Sequence, residues 1–202
     1  DPGPHPFAVE NAAAIEANWQ VERAANPALF DGEVVLLSSL SLEGDRLLGR
    51  CDAVRFAALL QWRRHRRPGA EHAYAHAAIV SGDGALVAIR MGAHTANAGK
   101  VYFAAGSFER MDFRDGLVDL EGNMAREVRE ETGLDLGEAR AEHGYHLYSA
   151  DGATVVFRRY YYEATAAELA ARIAAHVAAE AEPEIDGPVI LHDGAPVPDD
   201  VM

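Results

Sequence analysis

Three glutamates with helical spacing are the clearest candidates for chemistry in this chain. Glu127, Glu130 and Glu131 occupy positions i, i+3 and i+4, and on a helix the last two lie within about 60° of the first. Neighbouring carboxylates repel one another, and their oxygens are hard ligands suited to Mg²⁺ or Mn²⁺. A divalent cation held there could activate a water molecule for attack on phosphorus. The alternative is a solvated acidic face, softened by Arg126 and Arg129.

The surroundings of this acidic run favour a helix with a fixed orientation. A helix is predicted from about Glu121 to Thr132, and Gly133 is suited to the left-handed cap that ends it. Met124 and Val128 would face the core, so we expect the carboxylates to face outward. The polar segment from Gly106 to Asp119, which precedes the helix, is predicted to be a loop.

The acidic run also matches a known motif. Residues 126–134 read Arg-Glu-Val-Arg-Glu-Glu-Thr-Gly-Leu, which resembles the second half of the Nudix box, Arg-Glu-U-x-Glu-Glu-x-Gly-U with U aliphatic. The resemblance covers roughly residues 73–191. It implies an α+β chain with the Nudix fold, an α/β/α sandwich with a mixed sheet. It also implies a hydrolase that uses Mg²⁺ or Mn²⁺ and metal-activated water to cleave the diphosphate of a nucleoside diphosphate linked to another moiety.

The resemblance assigns a role to each matching residue of the box. Glu127 and Glu131 would be the principal metal ligands. Glu130 would be a further ligand or would orient metal-bound water. Arg126 would be structural, tying the loop to the helix by charged hydrogen bonds, and Gly133 would be the structural glycine of the motif.

The first half of the box departs from the family pattern. The family places a glycine six residues before a glutamate, and seven residues then precede the arginine. Here Gly106 is followed six residues later by Asp112, and thirteen residues then precede Arg126. We interpret this as an insertion of about six residues around 113–119, with Asp112 as the structural acid and Glu109 as its competitor. The carbonyl of Gly106 could complete the metal shell.

Residues outside the box are weaker candidates. Glu180, Glu182 and Glu184 follow the last long predicted helix, and Glu184 is our preferred catalytic base, against the alternative of a solvated acidic run. Arg90 lies on a predicted strand, where it could contact substrate phosphate or form an external ion pair. The basic run at residues 63–67 could bind phosphate or could simply be a solvated helix end.

The N-terminal part of the chain is predicted to be a separate arm. We expect residues 1–69 to form a helix/strand extension packed on the domain, with residues 1–6 disordered and a boundary at Pro68–Gly69. Residues 70–202 would form the hydrolase domain. The segment 26–32 is similar to the N-terminal region of nucleotide-sugar pyrophosphatase-type Nudix proteins, which favours a nucleotide sugar or ADP-ribose as substrate.

Composition limits the partners. The net charge of −14 argues against nucleic acid or an anionic membrane as the main partner, because either needs a positive surface. A small nucleoside diphosphate derivative remains compatible if cations lie between it and the carboxylates. No apolar run approaches the roughly 20 residues of a membrane span. The single cysteine, Cys51, cannot form an internal disulfide, and we expect a cytoplasmic protein, with a homodimer through the arm possible.

Two other classes of function stay open at this point. The chain could be a catalytically weak Nudix-fold module that senses a nucleotide without cutting it, because the loop is altered. The acidic helix could also belong to the surface of an unrelated protein.

Overall fold

The computed structural model describes residues 4–66, 69–195 and 200–201 of the chain. The chain divides into two compact units. Unit 1 comprises Asp1–Tyr74, Ser107–Asp119 and Leu147–Val155, and unit 2 comprises Ala75–Gly106, Leu120–His146 and Val156–Met202. This division does not coincide with a single boundary at Pro68–Gly69, and Pro68 itself lies outside the described residues.

Helices and strands alternate irregularly along the chain. The helices are α1 Pro6–Glu10, α2 Ala12–Ala25, α3 Phe56–His65, α4 Leu120–Thr132 and α5 Ala166–Ala179. The strands are β1 Glu33–Glu43, β2 Arg46–Arg55, β3 His72–Val80, β4 Leu86–Met91, β5 Val101–Tyr102, β6 Phe113–Arg114, β7 Leu117–Val118, β8 Arg140–Ala141, β9 His146–Ala150, β10 Ala153–Tyr161 and β11 Ile185–Leu191.

Unit 1 is built on the antiparallel hairpin of β1 and β2. Helices α2 and α3 pack on each other, and α3 also contacts the hairpin. Their shared core contains eleven buried residues, namely Phe7, Ile15, Trp19, Val34, Leu36, Val54, Ala57, Ala58, Leu59, Trp62 and Ala70. Within the segment 1–6, which we expected to be disordered, His5 is fully buried and Pro6 begins α1, whereas residues 1–3 lie outside the described residues.

The segment 26–32 has a structural role in unit 1. Asp31 Oδ1 accepts a hydrogen bond of 2.9 Å from the backbone N–H of Ala57 in the first turn of α3. The same carboxylate forms an ion pair with Arg55, the residue before the helix. Because the first N–H groups of a helix lack partners within it, Asp31 stabilises the start of α3.

The segment after Gly106 differs from the predicted polar loop. It contains a short 3₁₀ turn at Arg110–Asp112 and an antiparallel hairpin of β6 and β7. Asp115 and Gly116 connect the two strands with φ angles of 52° and 78°, and this dipeptide is a common two-residue hairpin turn. The proposed insertion at residues 113–119 is therefore an ordered hairpin.

A seven-stranded sheet has the order β11-β4-β3-β10-β8, with β5 beside β4 and β9 beside β10. Strand β4 is antiparallel to β3, β5 and β11, and β8 is antiparallel to β10. Strands β3 and β10 run parallel, because His72 N–H bonds to Gly152 O and Tyr162 N–H bonds to Val80 O, each at 2.9 Å. The predicted α+β class with a mixed sheet is confirmed.

Unit 2 supports α4 from two directions. Helix α5 packs on β4 and β11 and contacts α4. Met124 and Val128 of α4 are completely buried, and the Met124 sulfur lies 3.7 Å from the hydroxyl of Tyr160 on β10. The apolar face of α4 is thereby fixed toward the core, as predicted.

No helix within the described ranges is both long and apolar enough to span a membrane.

The β1 strand offers a matched test of the unit 1 core. Leu36 is fully buried, whereas Leu42 on the same strand is 59% exposed. Leu36→Ala should lower the free energy of unfolding by about 2–5 kcal/mol, because it leaves a cavity. Leu42→Ala should change it by no more than about 0.5 kcal/mol. Urea denaturation measures both variants, and equal losses would contradict the packing described for β1.

Candidate metal-binding and active site

Helix α4 buries two of its three candidate carboxylates. Glu127 is 8% exposed and Glu131 is 7% exposed, whereas Glu130 is exposed. We expected all three to face outward, so for Glu127 and Glu131 this expectation was wrong. The helix carries them on the side that meets Ala105 and Gly106, the residues that follow β5.

The residues that follow β5 form the wall against which these carboxylates pack. The backbone N–H of Ala105 donates a hydrogen bond of 3.0 Å to Glu131 Oε2. A Cβ atom at Gly106 would lie 2.2 Å from Glu127 Oε1. Only a residue without a side chain leaves space for the Glu127 carboxylate here. The structure therefore brings together Gly106, Glu127 and Glu131, three of the residues singled out from the sequence.

The electrostatic environment of Glu131 is unfavourable for a negative charge. Burial is the main cause that raises the pKa of Glu131 to about 9, and the charges of Glu127, Glu184 and Glu130 act in the same direction, against the lowering effect of the Ala105 N–H. Burial and like charge both disfavour the carboxylate form. A cation beside Glu131 would relieve this repulsion.

Arg126 supplies positive charge on the same helix. Its Nη2 atom lies 2.7 Å from Glu127 Oε1, and its Nη1 atom donates to Glu130 Oε2 at 2.9 Å. The arginine side chain is itself mostly buried. Arg126 therefore holds two of the candidate ligands by charge-assisted hydrogen bonds.

Among Glu180, Glu182 and Glu184, the charge of Glu184 acts on the buried Glu131 carboxyl. It is exposed, immediately precedes β11, and contributes to the raised pKa of Glu131. Its carbonyl accepts a hydrogen bond of 2.8 Å from Gly92 N–H, which fixes its backbone beside the end of β4. Glu180 instead lies 3.8 Å from His176 Nε2.

Arg90 is engaged with the C-terminal segment. Its Nη1 atom donates to Gly99 O at 2.9 Å and forms an ion pair with Asp200. The backbone of Asp200 also accepts a hydrogen bond of 2.9 Å from Val101 N–H. A phosphate contact by Arg90 would have to compete with this ion pair.

Asp112 and Glu109 both belong to unit 1. They form a reciprocal capping box around the 3₁₀ turn, in which Asp112 Oδ2 accepts from Glu109 N–H at 2.9 Å. Asp112 is buried. Both acids therefore have a local structural role in the segment that precedes the β6–β7 hairpin.

The basic run at residues 63–67 is also engaged locally. Arg64 donates to Asn18 Oδ1 at 2.7 Å, and the Arg66 guanidinium lies 4.6 Å from the Trp62 ring centroid. Arg67 lies outside the described residues. These contacts fit the helix-end interpretation of the run.

The contact between the end of α4 and His176 on α5 was not identified from the sequence. Gly133 has a φ of 69° and ends the helix. A Cβ there would lie 2.7 Å from Cγ and Nδ1 of His176 on α5, and His176 Nε2 lies 2.9 Å from Glu130 O. A contact between residues so far apart in sequence leaves no local signal that periodicity could detect.

The donor set of this region fits a hard divalent cation. Carboxylate oxygens are the ligands that Mg²⁺ and Mn²⁺ prefer, and the repulsion at Glu131 is of the kind that such a charge offsets. Across residues 4–66, 69–195 and 200–201, no three His, Cys, Asp or Glu side chains already converge closely enough to hold a metal ion. Rotation of the Glu127 side chain away from Arg126 would therefore have to accompany binding.

Comparisons with known proteins give limited information. No family model and no curated protein matches the chain. Among solved structures, a MutT protein from Methanosarcina mazei Go1 is 22% identical over 45% of this chain, with a TM-score of 0.33. The chain spans 62% of that protein's length.

Two further solved structures are similarly distant. DR0079 from Deinococcus radiodurans is 12% identical over 79% of this chain and 83% of its own, with a TM-score of 0.44. A NUDIX hydrolase from Nitrosomonas europaea is 16% identical over 60% of this chain and 72% of its own, with a TM-score of 0.36. Similarities at these values carry no argument about activity, so the case for function depends on the motif and the site geometry.

The crowding at Gly133 can be tested against Gly144, which also has a positive φ but has no atom near its Cβ position. Both Gly→Ala substitutions should lower the free energy of unfolding by about 1–2 kcal/mol, because a left-handed backbone disfavours a side chain. Gly133→Ala should lower the free energy of unfolding by about 1–3 kcal/mol more, because its methyl group would overlap Cβ, Cγ and Nδ1 of His176. Equal unfolding free energies in urea would contradict the close approach of α5 to Gly133.

Proposed function

We propose that the chain is a Nudix-type, metal-dependent pyrophosphohydrolase that cleaves the diphosphate of a nucleoside diphosphate linked to another moiety. The observation that carries the proposal is the placement of the nine-residue motif. Its segment forms the last turns of α4, and Glu127 and Glu131 are buried together beside Ala105 and Gly106. A solvated acidic face would leave both carboxylates exposed.

Glu127 and Glu131 would hold the cation, Mg²⁺ or Mn²⁺, and Glu130 would add a third carboxylate from the same helix face. The carbonyl of Gly106 is a further candidate ligand, because its residue packs directly against Glu127. When bound, the cation would supply Lewis acidity and neutralise charge on the diphosphate. Arg126 would keep Glu130 oriented after Glu127 turns to the cation, through the hydrogen bond between Arg126 and Glu130.

Glu184 would act as the general base. An exposed carboxylate can accept a proton from a water molecule that attacks phosphorus, and its charge already reaches Glu131. Arg90 would contact a substrate phosphate if it exchanged its ion pair with Asp200 for the ligand. Glu184 and Arg90 would thus act together with the residues of the motif, although both lie outside it.

A nucleotide sugar or ADP-ribose is the substrate that we favour. The support is the similarity of residues 26–32 to nucleotide-sugar pyrophosphatase-type proteins, together with a net charge of −14 that disfavours polynucleotide substrates. A small diphosphate reaches an acidic site when divalent cations lie between the two negative groups.

Hydrolysis assays on a substrate panel test the proposal. Nucleoside diphosphate sugars, ADP-ribose, dinucleoside polyphosphates and nucleoside triphosphates would each be incubated with Mg²⁺, Mn²⁺ or a chelator, and phosphate release measured after phosphatase coupling. We expect cation-dependent turnover of at least one diphosphate-linked substrate. Glu127→Gln and Glu131→Gln should each lower kcat by about 100-fold or more.

Glu138→Gln is the matched control, because Glu138 is an exposed carboxylate of unit 2 that pairs with Arg172. It should retain full activity. If every substrate remains intact with either cation while nucleotides still raise the melting temperature, the hydrolase proposal is wrong and the chain is a nucleotide sensor.

A further inference from the structure

The last turn of α4 has a backbone acceptor whose partner comes from another helix. The final carbonyls of a helix have no N–H donor within it. Gly133 N–H donates a hydrogen bond to Arg129 O at 3.0 Å, and Leu134 N–H donates one to the Thr132 hydroxyl at 3.2 Å. The Glu130 carbonyl, which lies in the same turn, accepts a hydrogen bond of 2.9 Å from His176 Nε2.

The chemistry of this contact defines the state of the imidazole. A carbonyl oxygen only accepts hydrogen bonds, so Nε2 of His176 must carry the hydrogen that is shared. The ring also packs against the Cα of Gly133, where any side chain would overlap it. His176 thus bonds to the backbone of one residue and covers the backbone of another within a single turn.

We propose that His176 is a positioning residue for the carboxylates of α4. It acts through the main chain: by bonding to the Glu130 carbonyl and covering Gly133, it fixes the turn that carries Glu130 and Glu131. This inference rests on the proposed function, because it assigns to His176 the task of keeping two cation ligands in place.

The constraint matters because cation sites are sensitive to small displacements of their ligands. The Glu131 carboxylate is bonded to Ala105 N–H, and Glu130 is bonded to Arg126. The bond to Ala105 requires the last turn of α4 to keep its place relative to the residues after β5, and the bond to Arg126 requires the same turn to remain helical. Loss of partners that orient metal ligands commonly costs about 10–100-fold in metal affinity or activity.

Two substitutions separate the hydrogen bond from the packing. His176→Leu keeps apolar bulk over Gly133 but removes the donor. His176→Gln keeps an N–H donor on a side chain of similar reach. His143→Leu, at an exposed histidine of unit 2, is the matched control. Mn²⁺ affinity and the Mn²⁺ electron paramagnetic resonance spectrum would be measured without substrate, followed by kcat and KM.

We expect His176→Leu to weaken Mn²⁺ binding by about 10-fold and to broaden the Mn²⁺ spectrum, with most of the loss in kcat rather than KM. His176→Gln should restore most of the affinity and the wild-type spectrum, and His143→Leu should match the wild type. Wild-type Mn²⁺ binding and turnover in His176→Leu would overturn the inference, as would equal impairment in the Leu and Gln variants.

The two proposals fail in different ways. A wild-type protein that binds Mn²⁺ but hydrolyses nothing contradicts the proposed function, while the Mn²⁺ measurements still decide the role of His176. A wild-type protein that binds no Mn²⁺ contradicts both.

Discussion

Burial of the carboxylates of Glu127 and Glu131 is the constraint on which the account of this site depends. Removing a negative charge from water is costly unless hydrogen bonds or an opposite charge compensate for it. The structure provides part of that compensation through Ala105 N–H and Arg126. The cost that is not compensated is evident at Glu131, whose pKa is raised to about 9 by burial and by neighbouring carboxylates. In the proposed function, a bound cation would offset the repulsion that remains at Glu131.

The rest of unit 2 keeps those carboxylates where they are. Met124 and Val128 are completely buried and set the rotation of α4, and Glu131, seven residues after Met124, lies on nearly the same side of the helix. Helix α5 packs on β4 and β11 and reaches α4 through His176, which bonds to the carbonyl of Glu130. Gly106 contributes by having no side chain, because a methyl group there would occupy the space of the Glu127 carboxylate. The site therefore depends on α4 itself, on α5, which holds the last turn of α4, and on Gly106, which leaves space for the Glu127 carboxylate.

Much of this arrangement could be predicted from the sequence, because it follows local rules. The spacing of Glu127 and Glu131 and the cap at Gly133 identify helix α4 and its C-terminal end. The burial of Glu131 had a local signal, because a spacing of seven residues puts Glu131 on nearly the same side of the helix as Met124. The close approach of Gly106 to Glu127 joins distant segments and had none. The contact between His176 and Glu130 and the ion pair between Arg90 and Asp200 join distant segments and leave no periodic pattern. The β6–β7 hairpin did have a local signal, the Asp115–Gly116 turn. We interpreted this segment as a loop insertion because it interrupts the spacing of the motif.

The most direct test of the central claim is the anomalous scattering of Mn²⁺ in crystals of the protein, collected with and without a non-hydrolysable nucleoside diphosphate analogue. We expect an anomalous peak within coordination distance of both the Glu127 and Glu131 carboxylates, and the loss of this peak in Glu127→Gln. A Mn²⁺ peak elsewhere on the protein, or none beside α4 at saturating Mn²⁺, would contradict the assignment of these buried carboxylates to a cation.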